Sequence, residues 1–381
     1  MTKELLIRAS RVIDPSQDWD GPAEILLQNG KVTGFGPSLS TSAAVPVLNA
    51  DQGIVVPGLI DFHSHVWWGG TSLSVKPEPV ARRSGTTTFL DTGSAGAGTM
   101  AGFHAHIAQQ TDLTILAYIN VSFAGIFGFS ESVMIGECAD IRLLDARECV
   151  RVAKQFPDFV RGVKVRVGQK AGGDQGIAPL EVALDIADQL GLPVMSHIDF
   201  PPPGGRQILD LLRPGDILTH FLRPFPNSAV DSQGAVKAEY WKARERGVLF
   251  DVGHGYGGFG FEAGEAALDH GFPPDIISSD VHVLCENGPA FDVLSVMNKF
   301  WSMGMELPDV IRAATATPAA ILRRPDLGTL APCARADVAI LDIREDATEF
   351  VDAIGVRRSV DRYLSCSEMV VGGHVWPTSG G

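Results

Sequence analysis

Eight short apolar runs recur between Pro57 and about Arg324, most of them separated by stretches with helical spacing. They are "GLIDFHSH", "TTTFLDTGS", "TILAYINVS", "FVRGVKVRV", "LPVMSHI", "DILTHF", "GVLFDVGHG" and "DIISSDVH". Most are rich in β-branched or aliphatic residues and stop at Gly, Pro, Ser or Asp. Strands of a parallel sheet covered on both faces read this way. Between them, segments such as "PLEVALDIADQLG" and "SQGAVKAEYWKARERG" carry apolar residues at helical intervals. Eight βα units in about 270 residues predict an α/β fold of the (β/α)8 TIM-barrel type.

The two ends of the chain read differently. "AEILLQNGKVTGFG" carries Asn29-Gly30 between two short runs, a strong hairpin signal. "GTLAPCARADVAILDI" and "SEMVVGGHVW" read as strands around Gly and Pro turns. A small β-sandwich built from both termini and flanking the barrel is the economical architecture. The expected division is residues 1–56 and 326–381 for the sandwich and 57–325 for the barrel.

Composition narrows the partners. The net charge is −14, and no Lys/Arg cluster stands out. Phosphate binding needs such clusters, so nucleic acid and anionic membranes are not expected partners. No apolar stretch approaches the roughly 18 residues of a membrane span. Cys138, Cys149, Cys285, Cys333 and Cys366 are scattered without a CxxC, which suits neither a disulfide framework nor a zinc knuckle. The expectation is a soluble, cytoplasmic protein acting on a small molecule. Homo-oligomerisation stays open.

In a barrel, chemistry sits at the C-terminal ends of the strands. Those ends carry His63 and His65, Asp91, Lys164, His197, His220, His254 and Asp280. On a strand, residues i and i+2 point the same way, so His63 and His65 can hold one metal. His104 and His106 share that spacing, but "AGFHAHIAQQ" reads as helix, where they diverge, and no metal role is expected. In "GVKVRV" the valines face the helices, which turns Lys164 and Arg166 into the barrel. A buried lysine readily loses its proton, and its amine can capture carbon dioxide as an anionic carbamate. That would supply the two-oxygen bridge for which this strand end has no Asp or Glu. His197 and His220 suit zinc and related ions. Asp280 can both ligate and take a proton.

The set HxH, Lys, His, His, Asp on successive strands resembles the amidohydrolase superfamily, with "PGLIDFHSH" as its opening signature. "GTTTFLDTGSAGAGT", "FDVGHGYGGFGF", "SSDVH" and "GTLAPCARADVAILD" are similar, more narrowly, to the deacetylase group often described as dihydroorotase-like. The resemblance covers nearly the full length. It implies two divalent metals, usually zinc, and N6-carboxylysine at Lys164. His63, His65 and Asp280 would hold one ion, His197 and His220 the other, with Lys164 between them. It also implies hydrolysis of acetyl esters of 2-hydroxy acids such as acetyl-mandelate. A hydroxide bridging the metals would attack, with Asp280 as general base. The loops "HIDFPPPGG" and "LTHFLRPFPNS" depart from the group's pattern, which leaves the substrate open. An N-acyl amino acid deacylase or cyclic amidase of the same architecture is the alternative. Mononuclear deaminases of this superfamily usually lack the bridging lysine, so Lys164 argues against that activity.

Substrate contacts are expected at Arg166 and Arg223, whose guanidinium groups suit a carboxylate. His254, at the seventh strand end, and Ser94, in the loop after the second, are further candidates. His282 reads as structural or as support for a ligand. Trp67 and Trp68 could wall the pocket.

Overall fold

Asn29 and Gly30 adopt φ of 52° and 76°, the left-handed pair that a two-residue type I′ hairpin turn requires. The turn joins β2 (Trp19–Gln28) to β3 (Lys31–Gly36), and β2 pairs antiparallel with β1 (Glu4–Asp14). The structure is a computed structural model that describes residues 4–42 and 44–378. The outermost residues of the two expected terminal segments, 1–3 and 379–381, lie outside it.

β4 (Val47–Ala50) and β5 (Ile54–Pro57) add to β1 in parallel. The barrel follows. Its strands are β6 (Leu59–Ser64), β7 (Thr86–Gly96) and β8 (Thr114–Asn120), then, after a two-residue pair β9 (Gly128–Phe129) and β10 (Met134–Ile135), β11 (Val160–Val167), β12 (Val194–Ile198), β13 (Ile217–Thr219) and β14 (Leu249–Asp251). β6, β7, β8, β11, β12, β13 and β14 form one seven-stranded sheet in chain order. Every neighbouring pair in it is parallel. The fold is thus of the α/β, TIM-barrel-like kind.

The eighth apolar run, "DIISSDVH", forms no strand ladder, contrary to the expectation of eight strands. It touches both neighbours through isolated parallel bridges, Asp251 with Ile276 and Ser64 with Val281. The physical reason lies in its serines. The backbone N–H of Ser279 donates to Asp61 Oδ1 at 2.9 Å, and Ser278 Oγ donates to Asp251 Oδ1 at 2.5 Å. The Asp61 carboxylate of the first strand thus takes a backbone hydrogen bond that a ladder would otherwise use.

In β11 the expected alternation is seen. Val163, Val165 and Val167 are fully buried in the main core with Leu180, Ala183 and Ile186 of the helix Ala178–Leu190. A second apolar cluster, including Ile60, Leu116, Tyr118, Met195 and Leu322, packs separately. Met195 Sδ is 3.3 Å from Lys164 Nζ, so this layer lies against the lysine.

The chain returns to strands at β15 (Val338–Arg344), the hairpin β16 (Thr348–Val351) with β17 (Arg357–Val360), β18 (Tyr363–Val371) and β19 (His374–Trp376). Both ends of the chain meet in one eight-stranded mixed sheet, in which β5 lies between β1 and β15. No helix among the described residues is long and apolar enough to cross a membrane.

Candidate metal centre

His63 Nδ1 lies 3.0 Å from Asp251 Oδ2 and 3.0 Å from Thr219 Oγ1. An ionised carboxylate only accepts, so Nδ1 carries the proton and Nε2 keeps its lone pair. His220 repeats the logic, with Nδ1 2.5 Å from the Gly253 carbonyl. His65 Nδ1 lies 2.8 Å from Ser94 Oγ, which leaves its Nε2 on the side of Asp280.

These free nitrogens converge. Asp280 Oδ1 is 3.1 Å from His65 Nε2 and 3.4 Å from His63 Nε2. Ligand atoms of His63, His65 and Asp280 all fall within 4.8 Å of one another. Lys164 Nζ is 3.1 Å from His63 Nε2. The His220 ring is centred 5.1 Å from His63 and 4.6 Å from His197. The six residues expected as ligands therefore meet at one end of the barrel.

Two of them hold left-handed backbone, His220 just past β13 with φ of 64° and Asp280 within the eighth run with φ of 50°. Non-glycine residues keep such angles where surrounding contacts enforce them, often at functional sites. The glycines of "DVGHGYGG" explain part of that enforcement. A Cβ on Gly255 would sit 2.2 Å from Asp280 Oδ2, and one on Gly253 2.3 Å from Thr219 Oγ1. Backbone therefore packs directly behind the carboxylate and the histidine supports.

Burial sets the charge states. It holds His65 down at about 3 and His63, His197 and His220 well below the usual imidazole value. It lowers Lys164 to about 7, although Asp280 and Asp251 pull the other way. His197 Nε2 is buried with no hydrogen-bond partner. Asp199 Oδ2 lies 3.5 Å away, too far to satisfy it, and a buried ring nitrogen without a partner is rare and calls for an explanation. Neutral imidazoles with inward lone pairs, a carboxylate and a deprotonatable amine make a donor set that fits divalent metal.

A cavity of about 490 Å³ opens onto this cluster. Arg166 and Arg223 line it, together with Lys170, His282, Phe129 and Tyr256. Both arginines are largely buried. Ser94 and His254 do not line it, which corrects their expected role as substrate contacts. Ser94 is fully buried behind His65. His254 is fully buried, with Nε2 2.6 Å from Lys299 Nζ. Asp91 is likewise buried, accepting from the N–H groups of Val66 and Ser94. Sequence reasoning missed Lys170, Phe129 and Tyr256. It also gave His282 no place on the cavity wall, although its position two residues after Asp280 was a usable signal.

A scan against models of known protein families finds no match. A deacetylase of Enterococcus faecalis is 30% identical over 379 residues, 99% of this chain and 100% of that protein. The crystal structure of an adenine deaminase superposes with a TM-score of 0.90 at 30% identity, covering 98% of this chain and 99% of that one. The crystal structure of a dihydroorotase gives 0.90 at 28%, covering 99% of each.

Proposed function

The chain belongs to the deacetylase-like branch of the amidohydrolase superfamily and is a metal-dependent hydrolase; from that premise we propose that it removes an acyl group, in the first instance acetyl, from a small carboxylate-bearing ester. The reading rests on one observation. A cluster of metal-competent donors lies at the floor of a cavity whose wall carries two largely buried arginines.

His63, His65 and Asp280 would hold one ion and His197 and His220 the other, with Lys164 shared between them. Zinc suits nitrogen-rich sites of this kind. The lowered Lys164 amine favours addition of carbon dioxide with loss of a proton, giving N6-carboxylysine. When bound, the ions supply Lewis-acid charge that acidifies water and polarises the acyl carbonyl. The protein's own work is orientation and proton transfer. Asp251, Ser94 and the Gly253 carbonyl hold the imidazoles of His63, His65 and His220 with Nε2 inward. The Asp280 carboxylate accepts the proton of the attacking water and returns it to the leaving oxygen. Arg166 and Arg223 draw the anionic end of the substrate into the cavity.

The test is a hydrolysis screen on enzyme supplied with zinc and bicarbonate. O-acetyl 2-hydroxy acids are paired with N-acetyl amino acids of the same side chain, in both hands. Preference for the esters is expected. Preference for the amides moves the protein to an N-acyl deacylase or cyclic amidase. Turnover of neither sinks the acyl-hydrolase reading.

A further inference from the structure

Arg166 lines the cavity with about nine-tenths of its side chain buried, yet its Nε has no hydrogen-bond partner. Arg223, on the same wall, donates from Nη1 to the Pro226 carbonyl at 3.2 Å. Behind Arg166 lies Glu137, wholly buried, with neither carboxylate oxygen hydrogen-bonded. Its Oε1 is 3.5 Å from Arg166 Nε. Closed ion pairs in this protein look different: Arg11 grips Asp20 with two bonds of 2.8 and 2.9 Å. The Glu137–Arg166 pair is close enough to balance charge and too open to saturate the guanidinium.

The chain builds this pair deliberately. A Cβ on Gly136 would lie 2.3 Å from the Ala171 carbonyl oxygen, and the Cys138 N–H donates to that same oxygen at 3.1 Å. Residues 136–138 are thus clamped to the segment that follows β11, the strand that carries Arg166. On another side the Phe129 ring centroid lies 5.4 Å from the guanidinium carbon. A carboxylate at the Nε edge and a ring beside the guanidinium leave the two terminal nitrogens for a ligand. Those nitrogens match the two oxygens of a carboxylate.

We propose that Arg166 is the receptor for the substrate's carboxylate and that Glu137 is its positioning residue. The assignment rests on the acyl-hydrolase reading above. A buried acid that made no hydrogen bond and turned no partner would simply be costly. Here it shares with Asp199 of the cavity wall the counter-charge that lets the arginine stay buried.

The test reads binding apart from turnover. Metal-loaded full-length protein is titrated calorimetrically with mandelate and with its neutral carboxamide, and the ratio of the two affinities is the readout. The wild type prefers the acid. Arg166→Met lowers the ratio about thirtyfold, the scale of a lost charged hydrogen-bonded contact. Glu137→Gln keeps the shape, removes the charge and lowers the ratio about fivefold to tenfold. Glu137→Gln adds nothing in the Arg166→Met background, because the glutamate acts only through the arginine. Should Arg166→Met not fold, Arg166→Lys replaces it and still loses part of the ratio, since a point charge lacks the fork.

An unchanged ratio in the arginine variant, or equal loss of both ligands on Glu137→Gln, overturns the proposal. So does additivity of the two substitutions, a ratio that collapses instead with Arg223→Met, or a wild type that binds neither ligand. Acetyl esters of the same two compounds are assayed in parallel. Selective binding of the acid without hydrolysis of either ester would sink the ester reading and leave the receptor standing.

Discussion

Asp251 holds His63 from behind the metal-competent face, with its Oδ2 3.0 Å from His63 Nδ1. The same oxygen accepts from Thr219 Oγ1 at 2.6 Å, and the other from Ser278 Oγ at 2.5 Å. Two strand ends and the eighth run therefore meet on this buried carboxylate. Asp251→Asn is the sharp test, because an amide cannot accept on both atoms. One donor would face an NH2 group, and the His63 ring would lose its fixed orientation. Metal affinity at the His63 site is expected to fall about tenfold to a hundredfold. Competition with a chromogenic chelator measures it, and an unchanged affinity would refute the orienting role.

Lys164→Ala removes the amine at the centre of the cluster. It lies 3.1 Å from His63 Nε2 with the apolar Met195 on another side. If its carbamate joins two ions, the weaker ion should be lost, with affinity down by at least about a hundredfold. Metal content after dialysis reports this directly. Wild-type protein given 13C-bicarbonate should show a carbamate resonance that the variant lacks. Full metal and full activity in Lys164→Ala would remove the lysine from the centre.

Gly255→Ala tests the backbone wall. Gly255 has φ of +49°, and the added methyl would lie 2.2 Å from Asp280 Oδ2. The carboxylate must move, and displacements near 1 Å at reacting groups cost on the order of a hundredfold in rate. The expected result is a kcat lowered by about that factor, with the thermal midpoint shifted far less. A kcat within twofold of wild type would mean that Asp280 has room to spare.

Much of this was legible because parallel strands announce themselves. The valines of β11 sit in the core as their alternation requires, and that parity turns Lys164 and Arg166 inward. The Asn29-Gly30 turn followed from its left-handed backbone demand alone. What was not legible depends on contacts distant in sequence. The eighth run lacks a ladder because Asp61, over two hundred residues away, captures the Ser279 amide. Ser94 read as a loop residue beyond the second strand, yet it lies within β7 and behind His65. Glu137 sits in "GECAD", which carries no motif. Only the clamp of Gly136 and Cys138 on Ala171 brings it to Arg166. The β9–β10 pair was invisible for a simpler reason, being too short to leave a periodic signature.

Four of the five cysteines are buried and Cys333 alone is exposed. Burial pushes the thiols of Cys149 and Cys366 up to about 12 and those of Cys138 and Cys285 upward as well. The thiolate is the reactive form. A thiol with a raised pKa holds less thiolate at pH 8, and a group near 12 holds only about one part in ten thousand. Iodoacetamide at pH 8 should therefore add one equivalent to the native protein, at Cys333, and five after denaturation. Cys285 makes the result informative about the site. Its thiol donates to the Asp280 carbonyl at 3.3 Å and accepts from the His282 N–H at 3.3 Å. Those bonds tie the loop after the eighth run to Asp280, the proposed proton carrier. Mass mapping of the labelled peptides reads the outcome. Prompt labelling of Cys285 in native protein would mean that this loop opens, and that Asp280 is held less firmly than its surroundings imply.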